Sequence, residues 1–176
     1  MWDLTRMGWL KSEHMFGKND IMKLNLGSGK RNKVGYVNID AIKHTDETIV
    51  GNILKLEYPN NSVDKILSSH VIEHLNKKEI NTFFSECHRM LKINGELEII
   101  APCMLTIIKH FNNKTIDINY LDNFLYARHL HDYDYHKQGI YKEKLMLLCE
   151  INKLNVVEIK YGGNVIEPEI YLTAKK

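Results

Sequence analysis

Three groups of residues in this chain could do chemistry. The first is Gly27-Ser28-Gly29, which follows the apolar Leu24 and Leu26, together with Asp40, which closes a second apolar run, Tyr36-Val37-Asn38-Ile39. With no Cβ at positions 27 and 29 the turn can take positive φ, and a ligand can lie directly against its backbone. A carboxylate at the tip of the following strand can accept two ribose hydroxyls, the logic of nucleoside sites on open α/β sheets. The second group is His70, Glu73 and His74, spaced i, i+3, i+4 and so on one face of a helix. Imidazoles and a carboxylate on one face can hold a divalent metal. The plainer reading, adopted here, is a Glu-His pair that fixes the ends of a strand and a helix, and no metal is assigned. The third group is the stretch 128–136, where His129, His131, Asp132, Tyr133, Asp134 and His136 supply acid, base and stacking groups. Carried on a cap they would bind substrate and exclude water, with His136 a candidate base; as a solvated loop they would be ordinary histidines.

These groups need a scaffold, and the apolar periodicity supplies one. Strands are predicted at about 22–26 and 35–39, near 48–50, at 63–69 and at 96–101. A helix is expected to start near His70, and a longer one covers 77–92, with Ile80, Phe83, Phe84, Cys87 and Leu91 at helical spacing and Asn94-Gly95 as its stop. Residues 103–138 break the alternation and read as a cap, with a helix around 116–127. A helix at about 141–154, a strand at 155–161, the turn Gly162-Gly163-Asn164 and a strand at 169–174 complete the chain, the last two strands forming an antiparallel pair. Alternating strands and helices argue for an α/β fold: a Rossmann-like, doubly wound, mostly parallel seven-stranded sheet with an antiparallel last strand. Only some ten residues join Gly27 to the second strand, so the first crossover helix is expected to be shortened or absent. Residues 1–21 read as a leader or as a helix packed on the sheet, and 22–176 as one domain.

The totals exclude several classes. At 176 residues the chain can bury a full core, and a net charge of +2 gives no bulk attraction to nucleic acid or membrane. Cys87, Cys103 and Cys149 are widely spaced with no Cys-x-x-Cys pair, which argues against a disulfide framework or zinc ribbon and for a reducing, cytoplasmic setting. No apolar run approaches the length of a membrane span. Position 32 is Asn, so the dinucleotide fingerprint Gly-x-Gly-x-x-Gly is not present.

The ordered set resembles the class I S-adenosylmethionine-dependent methyltransferases, in a small single-domain subgroup of the type 11 kind. The matching text is Leu24-Asn25-Leu26-Gly27-Ser28-Gly29, Asn38-Ile39-Asp40, Gly51-Asn52-Ile53, Pro59-Asn60-Asn61-Ser62-Val63-Asp64, Ser68-Ser69-His70-Val71-Ile72-Glu73-His74-Leu75, and Arg89-Met90-Leu91-Lys92 with Asn94-Gly95-Glu96-Leu97. The resemblance implies S-adenosyl-L-methionine as cofactor and S-adenosyl-L-homocysteine as product. It places Gly27, Ser28 and Gly29 under the methionine part, Asp40 on the ribose, Asn52 and Ile53 at the adenine, and Ser69 and His70 at the methyl end, which makes His70 the first candidate base and His136 the second. Two features depart from the pattern. Asn52 stands where the family often carries an acid, and similar Glu-His pairs ligate metal in small-RNA 3′-end and ubiquinone-pathway O-methyltransferases, which carry a further acid where this chain has His70. The resulting expectation is a methyltransferase acting on O or N of a small molecule or glycan. The alternative is a catalytically inactive binding or regulatory module that keeps the fold.

Overall fold

In the computed structural model, residues 21–127 and 134–176 are described. The expectations for residues 1–20, and for His129, His131, Asp132 and Tyr133, lie outside the described residues. The strands are β1 (Lys23–Leu26), β2 (Val37–Asp40), β3 (Ile49–Val50), β4 (Val63–Ser69), β5 (Leu91–Pro102), β6 (Asn155–Gly163) and β7 (Pro168–Lys175). The helices are α1 (Lys77–Met90), α2 (Met104–Asn112), α3 (Ile118–Tyr126) and α4 (Lys142–Ile151). The strands form one sheet in the order β3-β2-β1-β4-β5-β7-β6. The first five run parallel, and β7 is antiparallel to both β5 and β6. The order reverses between β1 and β4, which places a crevice at the carboxyl ends of those two strands.

Burial alternates along β5 and β7. Register pairs Leu97 with Ala174, Ile99 with Leu172 and Ala101 with Ile170, all buried. They join one core with Phe83, Phe84 and Cys87 of α1 and Leu145 and Cys149 of α4. Helix α1 starts where Asn76 and Glu79 form a capping box: Asn76 Oδ1 accepts from the N–H groups of Lys78 and Glu79, and Glu79 Oε2 accepts from the Asn76 N–H at 2.7 Å.

Four local expectations are corrected. Helix α1 ends at Met90 rather than near Lys92, because Leu91 is extended, fully buried and paired with Val63. Asn94 and Gly95 therefore lie in an irregularity of β5, where Asn94 takes φ +64° and register resumes at Lys65–Glu96. The helix expected near His70 is a single 3-10 turn, Ile72–His74, because His70 adopts φ +55° and Val71 φ −131°, which no continuing helix permits. Gly162 and Gly163 extend β6 opposite Glu169 and Pro168, and the reversal falls on 164–167.

No helix joins β1 to β2, and two buried amides do its work. Asn25 Nδ2 donates to Asn38 Oδ1 at 2.8 Å and to Arg31 O at 3.1 Å, while Asn38 Oδ1 also accepts from the Lys33 N–H at 2.8 Å. The strands thus hold the 27–36 loop through side chains. An Asn38→Ala variant leaves two donors without this acceptor and is expected to lose about 2–4 kcal/mol in urea unfolding; an unchanged midpoint would remove the amides from that role.

Candidate functional site

A cleft of about 760 Å3 opens at the carboxyl ends of β1, β4 and β5, within the roughly 300–1,000 Å3 range of small-molecule sites. Its walls bring together Gly27, Ser28, Gly29, Ser69, His70 and His136 from the expected set. Asp40 stands directly behind the glycine turn, its Oδ2 accepting from the Gly29 N–H at 2.8 Å and its Oδ1 from the Ile42 N–H at 2.9 Å. Ile39 O accepts from both Gly27 N–H (2.8 Å) and Ser28 N–H (3.1 Å), so β2 pins the turn at three points. Asn52 and Ile53 do not line the cleft. Exposed Asn52 accepts from the Leu54 N–H through Oδ1, and Ile53 packs against the core.

The turn suits a ligand approaching its backbone. Gly27 and Gly29 have φ +70° and +52°, and a Cβ at Gly29 would meet nothing within 4 Å. The buried Ser28 and Ser68 hydroxyls have no hydrogen-bond partner among the described residues, and Ser28 faces the cleft. A glycine turn open to the cleft, an orphaned hydroxyl and an adjacent carboxylate fit the methionine and ribose parts of an adenosyl-sulfonium cofactor.

His70 sits between two carboxylates. Its Nε2 lies 2.8 Å from Glu169 Oε1, and its Nδ1 lies 3.6 Å from Glu73 Oε1. The Tyr171 hydroxyl donates to Glu169 Oε2. Glu169 and Tyr171 were not anticipated. The signal was available in the antiparallel last strand, since running opposite to β5 brings the start of β7 to the end of the sheet where β4 and β5 finish. Burial raises the Glu169 carboxyl, but hydrogen bonds from Tyr171 and His70 outweigh it and hold the group below its ordinary value. Protonation of a depressed carboxyl removes stability as pH falls through its folded value, while the contribution is complete above the unfolded value. A Glu169→Gln variant is therefore expected to show a shallower loss of urea midpoint below about pH 4.5; an acid limb identical to that of the parent would contradict the pairing.

Deeper in the cleft, Glu73 is 2% exposed and neither carboxylate oxygen has a hydrogen-bond partner among the described residues. Burial raises its carboxyl to about 8. Burial, then the neighbouring His136, lowers His74 to about 4. His136 is likewise lowered by burial. The two imidazoles meet edge-on with centroids 4.9 Å apart. Tyr120 and Phe124 of α3 complete the cap side of the cleft.

Residues 21–99 match a family model described as a methyltransferase domain. No curated protein matches in sequence. Among solved structures, a S-adenosylmethionine-dependent methyltransferase from Methanosarcina mazei superposes with a TM-score of 0.68 at 16% identity, over 93% of this chain and 95% of its own. One from Archaeoglobus fulgidus gives a TM-score of 0.63 at 14% identity, over 98% and 94%. A Burkholderia thailandensis 1,6-didemethyltoxoflavin-N1-methyltransferase, crystallised with 1,6-didemethyltoxoflavin and S-adenosylhomocysteine, gives 0.64 at 11% identity, over 99% and 78%. At these identities the superpositions establish the fold, and the family match covers the stretch that carries the glycine turn, Asp40 and His70. The chain has the fold of the class I methyltransferases, and its residues 21–99 are similar to the methyltransferase-domain family.

Proposed function

We propose that this protein transfers the methyl group of S-adenosylmethionine to an oxygen or nitrogen of a small-molecule or glycan acceptor bound under the cap. The observation that carries the reading is the convergence of the glycine turn, Asp40 and the His70–Glu169–Tyr171 chain at one end of the sheet. Gly27, Ser28 and Gly29 bind the methionine part, Asp40 the ribose and Ser69 the methyl end. The cofactor supplies an electrophilic methyl on a sulfonium. The chain supplies orientation and a proton acceptor. Glu169 accepts from Nε2–H of His70, which leaves the Nδ1 lone pair to take the proton of the attacking group. His136 is the second base on the cap side; its Nδ1 lies 2.7 Å from Phe124 O.

Among the described residues no helix is long and apolar enough to cross a membrane. The three buried cysteines are unpaired, which suits the reducing cytoplasm to which we assign the protein.

Calorimetric titration with S-adenosylmethionine and S-adenosylhomocysteine tests the reading, and micromolar binding of both is expected. No heat with either would overturn it and leave a partner-binding module on a methyltransferase fold. For the base, His70→Ala is expected to lower kcat by roughly 100-fold or more at unchanged cofactor affinity. A kcat within a factor of three of the parent would transfer the role away from His70.

A further inference from the structure

We propose that Glu73, His74 and His136 bind a divalent first-row transition cation, with open coordination positions facing the cleft. One donor atom from each residue lies within 4.8 Å of the others, and all three residues line the cleft. Spacing along the chain groups Glu73 and His74 with His70. The fold instead engages His70 with Glu169 and brings His136 in from beyond α3.

The hydrogen bonds around the imidazoles fix where their lone pairs point. His74 Nδ1 lies 3.0 Å from Tyr135 O, and His136 Nδ1 lies 2.7 Å from Phe124 O. A carbonyl oxygen can only accept, so each Nδ1 carries the hydrogen and each Nε2 carries a lone pair. A ring nitrogen that donates to a backbone carbonyl is the usual outer support of a metal-ligating histidine. Beside these lone pairs stands a carboxylate that is 2% exposed, with no donor to either oxygen among the described residues. One ligand atom from each of the three residues thus lies within reach of a shared cation, while no donor among the described residues serves either oxygen of Glu73. A proton on Glu73 does not bridge it to His74, because His74 Nε2 is 3.9 Å from Oε1, beyond hydrogen-bond reach. A cation does.

The backbone is built to hold the set together. The Lys137 N–H donates to Glu73 O at 2.8 Å, tying the segment that carries His136 to the 3-10 turn that carries Glu73 and His74. Two imidazoles and one carboxylate favour manganese, iron, cobalt or zinc over magnesium or calcium, which prefer oxygen throughout. Three protein ligands leave positions for an acceptor oxygen, which the cation would orient and acidify. That last role rests on the methyl-transfer reading, with His70 as the base and His136 as a ligand rather than a second base, whereas the cation site does not rest on it.

The test is a calorimetric titration of chelator-stripped full-length protein with cobalt(II), manganese(II) and magnesium chlorides, with visible absorption of the cobalt complex as a second readout. Expected are one equivalent of cobalt per chain, a cobalt-dependent rise in melting temperature, and negligible heat with magnesium. Glu73→Gln and His136→Leu are each expected to weaken cobalt at least 10-fold and abolish the thermal shift, circular dichroism confirming that each is folded. Using two variants keeps the test decisive if one fails to fold. No stoichiometric cobalt binding, or equal binding by a folded variant, would overturn the site. S-adenosylhomocysteine titrated into the stripped parent reports on the methyltransferase reading alone, so the two can fail separately.

Discussion

An Asp40→Ala variant is expected to weaken S-adenosylhomocysteine binding by about 100-fold or more, equivalent to roughly 2.7 kcal/mol. Two contributions act together. The carboxylate has about four lone-pair sites; the Gly29 and Ile42 N–H groups use two of them, at 2.8 and 2.9 Å. The remainder face ribose hydroxyls in this assignment, with His44 Nε2 3.6 Å from Oδ1, and a hydrogen bond to a charged acceptor contributes about 1.5–3 kcal/mol. Removing the side chain also releases the Gly29 amide, so the turn loses one of its three ties to β2. Asp40→Asn keeps one acceptor oxygen and turns the other into a donor that opposes a backbone N–H, so an intermediate loss of about 10-fold is expected. Calorimetry on both variants gives the order parent, Asn, Ala. Equal affinity in the parent and the alanine variant would remove Asp40 from the cofactor site and, with it, the ribose assignment.

What could be read from the chain follows the range of the interactions involved. The sheet, the antiparallel final pair and the missing first helix were legible because burial periodicity and loop length are local properties of Leu24, Leu26 and their neighbours. Gly27 and Gly29 were legible because positive-φ positions in a turn favour glycine. The boundary at Leu91 was not, since pairing with Val63 overrode a continuing helical pattern. The identity of the group beside His70 was hidden for a similar reason. Glu169 lies 99 positions away and reaches it only through the register of β7. The spacing His70, Glu73, His74 pointed to one helical face, but with a single 3-10 turn in place of a helix that face does not form. His136 was picked out by the density of chemistry around it; its meeting with His74 depends on how the cap returns over the sheet.

Substituting alanine at the two glycines of the turn is expected to separate folding from binding. At Gly27 a Cβ would fall 2.2 Å from Val71 Cγ2 and 3.2 Å from Cγ1, with φ at +70°. The left-handed conformation costs an L-residue about 1–2 kcal/mol, and forcing a methyl against a stiff β-branched side chain costs about 1–3 more. Gly27→Ala should therefore lose about 2–5 kcal/mol of the roughly 5–15 that a domain of this size holds. Val71→Ala in the same chain relieves the overlap but not the backbone strain, so the pair should show a favourable coupling of about 1–2 kcal/mol in a double-mutant cycle. At Gly29 the added methyl meets nothing within 4 Å, and only the strain of φ +52° remains. Gly29→Ala should fold with a loss of about 1 kcal/mol. Its methyl nevertheless projects where a ligand would lie against the turn, so cofactor affinity should fall at least 10-fold in a nearly intact protein. Urea unfolding and S-adenosylhomocysteine calorimetry on the same samples give both axes. If Gly29→Ala bound as the parent does, the ligand would not contact the turn backbone, and the cleft would have to hold its occupant against His70 and the cap instead.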